Sequence, residues 1–183
     1  MALIHIASVT ASSSATVEFT TGIDATYNEY QFHFVNMHPS ADSTNFQFQV
    51  NASNDTGGGF DTSVITSTTF HALHNEDDNY VYLVYRDGQD LAQQALYQTL
   101  AEAVGGIDAD MSCNGVLTLY APSDTTYVKH FTSRLSNSFY GGPRAQDFYA
   151  AGYINQTLAI PEISFKMASG NIDAGTIHMY GVG

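Results

Sequence analysis

Two short runs constrain this chain more than anything else in it. In "YNEYQFHFV" (27–35), Tyr30, Phe32 and Phe34 alternate with Glu29, Gln31 and His33. In "NFQFQVN" (45–51), Phe46, Phe48 and Val50 repeat the device. A period of two sends successive side chains to opposite faces of an extended chain, so each run has one aromatic face and one polar face. Strands of that kind bury one face against a second layer and wet the other, as in antiparallel sandwiches. The expected core is Phe32, Phe34, Phe46, Phe48, Phe165, Ile177 and Met179.

The rest of the chain repeats the theme. Extended runs are read at 3–9, 15–20, 64–73, 80–85, 115–120, 127–134 and 148–155. "NMHPSADST", "APSDTT" and "NSFYGGPR" are read as loops. Near the C-terminus, Ile163-Ser164-Phe165-Lys166-Met167 and Thr176-Ile177-His178-Met179-Tyr180 both alternate around a Ser/Gly/Asn/Asp cluster, which predicts a β-hairpin. One stretch departs from the pattern. "GQDLAQQALYQTLAEAVGG" is rich in helix formers, with Ala92, Leu96, Leu100 and Val104 at four-residue intervals. Asp90 is placed to cap its start and Gly105 its end, so a helix is expected over 90–104 with Gln93, Gln94 and Gln98 exposed. The fold class is all-β: an antiparallel two-sheet sandwich or jelly roll with one short helix inserted near 90–104. No linker or internal repeat divides the chain, so 1–183 is read as a single β-sandwich domain.

Charge narrows the function classes. Five Lys plus Arg stand against eighteen Asp plus Glu, a formal charge of −13, so there is no clustered cation surface for nucleic acid or for an anionic membrane. No apolar run reaches the length of a transmembrane helix, and the start lacks the pattern of a signal peptide. Cys113 is the single cysteine, which excludes an intrachain disulfide and reads as a small buried hydrophobe. Twelve Tyr and eleven Phe without a Trp fit strands and leave Ser, Thr, Asn and Gln to form the polar surface.

The candidate chemistry is thin. The seven histidines show no zinc spacing, and His71 and His74, three apart on a strand, should point to opposite faces. His5, His33 and His178 lie within alternating runs and read as polar strand-face residues, with His38 and His130 scattered. Two acidic loops, Asn54/Asp55/Asp61 and Glu76/Asp77/Asp78, offer oxygens of the kind calcium prefers, but neither has EF-hand spacing, and solvated turn acids is the favoured reading. Gly57–Gly59 is not a P-loop, and no G-x-S-x-G elbow occurs. Paired carboxylates for glycoside hydrolysis need only spatial proximity, which leaves that chemistry open, with nothing favouring it. The expectation is therefore no enzyme: no catalytic, cofactor-binding or metal residues, and no cofactor. The Tyr-rich runs (Tyr80, Tyr82, Tyr85; Tyr140, Phe148, Tyr149, Tyr153) read first as strand packing and otherwise suit a protein interface or sugar stacking.

Two longer stretches carry a resemblance. "LTLYAPSDTTYVKHFTS" (117–133) and "FKMASGNIDAGTIHMYGVG" (165–183) resemble segments of tailed-bacteriophage virion structural proteins, which end in a strand of the form SGNI…GTI-x-LYG. Met179 takes the Leu position of that ending. The strand, Pro turn, strand and Gly-rich acidic loop of 27–61 is similar in kind, while 90–104 departs from the polar Ser/Gly-rich segment of that group. The resemblance implies a particle component without catalytic residues, labelled as head decoration or as tail fibre. On that basis the expected role is a capsid decoration (cement) protein on the outer surface of a virion assembled in the host cytoplasm. Its partner would be the major capsid protein or another virion protein, with no nucleic acid and no membrane. A homo-oligomer is expected, a trimer by analogy with decoration proteins on threefold positions. The alternative is a tail component or short fibre tip touching host glycans, since no shaft repeat or heptad run supports a long fibre. A polysaccharide-acting enzyme of sandwich fold stands third.

Overall fold

A computed structural model describes residues 2–53, 59–60 and 63–183. The acidic loop read at Asn54, Asp55 and Asp61 lies outside the described residues. Among those described, thirteen strands form: β1 (Leu3–Ser14), β2 (Val17–Phe19), β3 (Glu29–Pro39), β4 (Thr44–Asn51), β5 (Ile65–Asn75), β6 (Val81–Tyr85), β7 (Ala92–Gln94), β8 (Gln98–Val104), β9 (Cys113–Tyr120), β10 (Lys129–Ser138), β11 (Arg144–Ile154), β12 (Glu162–Met167) and β13 (Ile172–Val182). They build two antiparallel sheets. The large sheet runs β1-β13-β3-β9-β10-β11-β5-β6, with β7 added beside β5, and the small one runs β2-β12-β4-β8.

The core is the interface between the two aromatic faces. Phe32, Phe34, Phe46, Phe48, Phe165, Ile177 and Met179 are all buried, as their alternation requires. Phe165 on the small sheet is ringed by Phe32 (5.4 Å), Phe34 (5.2 Å) and Phe46 (6.1 Å between ring centroids), and Phe19 meets both Phe32 and Phe165 edge-on. Edge-on and offset contacts match the ring quadrupoles and add about 0.5–1.5 kcal/mol per pair to the burial itself. Cys113 is buried at the same level, and burial pushes its thiol pKa up, which leaves it a packing group.

The terminal hairpin does not form. Strand β12 pairs with β2 and β4 in the small sheet, whereas β13 pairs with β1 and β3 in the large one. The intervening Ser/Gly/Asn residues carry the chain across the sandwich. Gly170 takes a positive φ of 71°, and a Cβ there would lie 2.7 Å from Ser40 Oγ. Ala168 N–H donates to the Asn45 carbonyl (2.8 Å) and Asn171 N–H to Ser40 Oγ (2.8 Å), anchoring the crossing at both ends. The physical reason is burial. A hairpin would set Ile163, Phe165 and Met167 beside Ile177 and Met179 in one sheet, but an arch brings the two apolar rows face to face. The last strand is nevertheless paired on both sides within its own chain.

The helix over 90–104 is absent too. Residues 92–94 add to β5, and β8 pairs with β4 as the edge of the small sheet. Leu96, expected on the buried stripe, is 57% exposed, while Gln98, expected in solvent, is fully buried. Two register shifts against β4 and a positive φ at Ala103 break the alternation of β8, so Gln98 to Glu102 are buried one after another. Helix propensity differs by only tenths of a kcal/mol per residue, and covering β4 with Leu100, Ala101 and Val104 outweighs it. The loop expected at 36–44 is shorter as well, because β3 continues to Pro39 past a bulge with Asn36 at φ 53°.

Candidate functional site

With one face of the large sheet sealed by the small sheet, the other is open, and its residues line up in cross-strand rows. One row reads Ser8, His178, His33, Val116, Arg134, Tyr149, Phe70, Tyr85 across eight strands. Toward β6 it is aromatic and apolar. Phe70 and Tyr149 stack at 4.6 Å with 8° between planes, and the Arg134 guanidinium lies 5.2 Å over Tyr149. Arg134 also forks onto Asp147, Nε to Oδ1 at 3.0 Å and Nη2 to Oδ2 at 2.7 Å, and Tyr149 Oη donates to the same carboxylate. Next to this lie Val81 and Leu83, 67% and 69% exposed, on the outermost strand. A groove of about 900 Å³ runs here, lined by Ala72, Leu83, Asn114, Arg134, Ser136 and Asp147.

Toward β1 the row becomes imidazole. A bulge at Ile6 sets two residues of β1 against one of β13, so His5 and Ser8 both face outward although they are three apart. The Ser8 hydroxyl then sits 2.7 Å from His5 Nε2 and 2.7 Å from His178 Nδ1. His33 lies opposite His178 but bonds Gln31 (3.0 Å) and turns toward the Tyr180 ring at 4.8 Å. Burial lowers the His33 pKa below the ordinary imidazole value, and the neighbouring His178 adds to the effect. Sequence spacing could not reveal this cluster, since His5 and His178 meet across nearly the whole chain. One signal was present: apolar positions fall at 4 and 6, then at 7 and 9, a slip of phase that marks the bulge.

A second polar constellation lies between the sheets under β5 and β6. Arg86 Nε donates to Glu102 Oε2 at 2.8 Å, its Nη2 bonds Oε1, and Gln89 reaches the same carboxylate at 3.2 Å. His71, fully inside, accepts from the Gln146 amide at 2.6 Å, and its Nδ1 lies 3.5 Å from Glu102. Burial holds the His71 pKa below its ordinary value, Glu102 pulls it back and Arg86 adds to the depression. Gln98 donates to the Gln89 and Thr99 carbonyls. These contacts tie loop 86–91 and β8 to the large sheet. His74, the partner of His71 in "HALH", faces outward as expected and bonds Asp78 at 2.9 Å.

The other singled-out residues are dispersed. Glu76, Asp77 and Asp78 form an exposed turn between β5 and β6. Phe148 is core, whereas Tyr80, Tyr85 and Tyr140 are exposed. Among the described residues, no three His, Cys, Asp or Glu side chains are grouped to hold a metal ion. The motif at 117–133 folds as β9, a turn and β10. Asp124 accepts from the N–H groups of Thr126 (2.6 Å) and Tyr127 (2.8 Å), and those bonds lower its pKa. Lys129 is buried and donates to the carbonyls of Tyr127, Gln156 and Thr157. Gly181, in the terminal motif, leaves room for the Tyr27 ring, which a Cβ there would meet at 2.2 Å. The motif residues thus hold turns and crossings together. Compared with known proteins, the chain matches no protein-family model, no curated protein and no solved structure at a significant level.

Proposed function

We propose that this protein is a non-enzymatic structural component of a tailed-bacteriophage virion, a decoration protein that binds the major capsid protein from outside. The open face of the large sheet carries the binding half of this reading. In a chain with only 13% charged residues, it presents Val81, Leu83, Phe70 and Tyr85 together. Exposed apolar clusters of this kind mark protein contact surfaces. The phage assignment rests on the 117–133 and 165–183 resemblance. An acidic exterior suits a particle surface by keeping particles apart.

The protein acts as a homo-oligomer, a trimer by analogy, with contacts of more than about 1,000 Å² each. A tail or fibre-tip role touching glycans is the second reading, favoured by the open groove beside Arg134, Asp147 and Asn114. Purified protein added to capsids that lack it should co-sediment with them and raise their resistance to heat. Val81→Glu with Leu83→Glu should abolish co-sedimentation while leaving the fold intact. Binding unchanged by that pair would move the contact elsewhere, and failure of the unaltered protein to bind capsids would remove the decoration reading.

A further inference from the structure

We propose that His5 and His178 form a binding site for a divalent first-row transition cation at the edge of the large sheet, with Ser8 as its gatepost. The two imidazole nitrogens, His5 Nε2 and His178 Nδ1, converge on one point, each 2.7 Å from Ser8 Oγ. Two neutral imidazoles aimed at a single point are what copper, nickel or zinc take as ligands. Metal–nitrogen bonds of about 2.0–2.1 Å require each ring to close in by roughly 0.6 Å as the hydroxyl rotates aside. His5 is exposed and His178 half-buried on the open face, with the Tyr180 ring beside both, so the exposed His5 ring makes most of the shift.

Two observations support the assignment, and a third fixes the proton change that binding entails. The bulge at Ile6 is what brings His5 onto the same face as Ser8 and His178, and bulges commonly re-aim side chains at sites of function. The Ser8 hydroxyl carries one proton, so it donates to one ring and accepts N–H from the other. The accepting arrangement shows that one ring must move its proton to its outer nitrogen on binding, with no net proton released. The outer nitrogen of His178, Nε2, and that of His5, Nδ1, are the positions that receive it. Finally, the formal charge of −13 raises the local concentration of any cation. Water completes the coordination, because His33 is engaged with Gln31 and turned to Tyr180.

The bound cation would join β1 to β13, its neighbour in the sheet, and so fasten the first strand of the chain to the last. Copper should bind most tightly, following the usual order of divalent affinities. Titration of the full chain with copper chloride, followed by calorimetry and by electron paramagnetic resonance, tests this. One cation per chain with nitrogen hyperfine structure from two imidazoles is expected, together with a metal-dependent rise in the unfolding midpoint. His5→Gln and His178→Gln should each lose the rise and the two-nitrogen signature, and His74→Gln and His130→Gln should keep both. Binding that survives His5→Gln with His178→Gln, or that disappears with His74→Gln, would overturn the assignment. So would the absence of any stoichiometric binding by the unaltered chain.

Discussion

The two ends of the sandwich are held together by different chemistry. Beneath β3 and β13, aromatic rings from both sheets interdigitate around Phe165. Beneath β5 and β6, the same gap is filled by Arg86, Glu102, Gln98, Gln146 and His71, joined by hydrogen bonds. The aromatic end gains from non-directional burial and tolerates small shifts. The polar end depends on each partner being present, since a buried polar group left unpaired costs more than a made bond returns. One side of the molecule should therefore respond to lost volume and the other to lost partners.

The largest expected effect is at the aromatic end. Phe165→Ala should lower stability by about 3–5 kcal/mol in urea unfolding, since a fully buried ring leaves a cavity among four others. A loss below about 1 kcal/mol would mean the rings repack freely and would erase the contrast. At the polar end, Glu102→Ala should cost about 2 kcal/mol, less than for a fully enclosed pair because Arg86 is 35% exposed. Glu102→Gln, which keeps the shape and half the acceptors, should cost less than Glu102→Ala. Equal losses would show that charge, and not bond geometry, dominates there.

Tyr30 combines both modes, and removing its hydroxyl alone should cost less than either of those changes. Its ring is buried and its hydroxyl accepts from Asp24 N–H (3.0 Å) and donates to the Asp24 carbonyl (2.9 Å). Tyr30→Phe keeps the ring and strands those groups, so a loss of about 1–2 kcal/mol is expected. The polar end should also sense acid. His71 has a folded pKa below its ordinary value, so the unfolded chain takes up a proton first as the pH drops. Stability should be level above about pH 6.5 and fall below it, until the folded-state value is passed. His71→Gln should flatten part of that slope, with the remainder coming from His33, whose pKa is also lowered. An unchanged slope in His71→Gln would place the acid response elsewhere. The smallest effect belongs to the open face, where Leu83→Ser should change stability by under about 0.5 kcal/mol.

The same contrast decides what was legible in the sequence. Phe32, Phe34, Phe46, Phe48 and Phe165 announce themselves by alternation, because non-directional burial needs only the right face. The segment from Leu91 to Val104 could not be read this way. The buried Gln98 side chain accepts from Ser67 and the Glu102 carbonyl from Asn137, partners far away in sequence, and local propensity favoured a helix. The end of the chain misled for a related reason. Alternation identified β12 and β13 as strands, but whether two strands pair or face each other depends on the layer each completes. The histidine pair on β1 and β13 required a bulge and a register to become visible.

A cryo-electron map of the intact virion tests the central claim most directly. Density for this chain should lie on the outside of the capsid, over threefold positions or between capsomers, with Val81, Leu83 and Phe70 turned toward the shell or a neighbouring copy. Density confined to the tail would contradict the decoration role, and absence of the chain from purified particles would contradict the virion assignment itself.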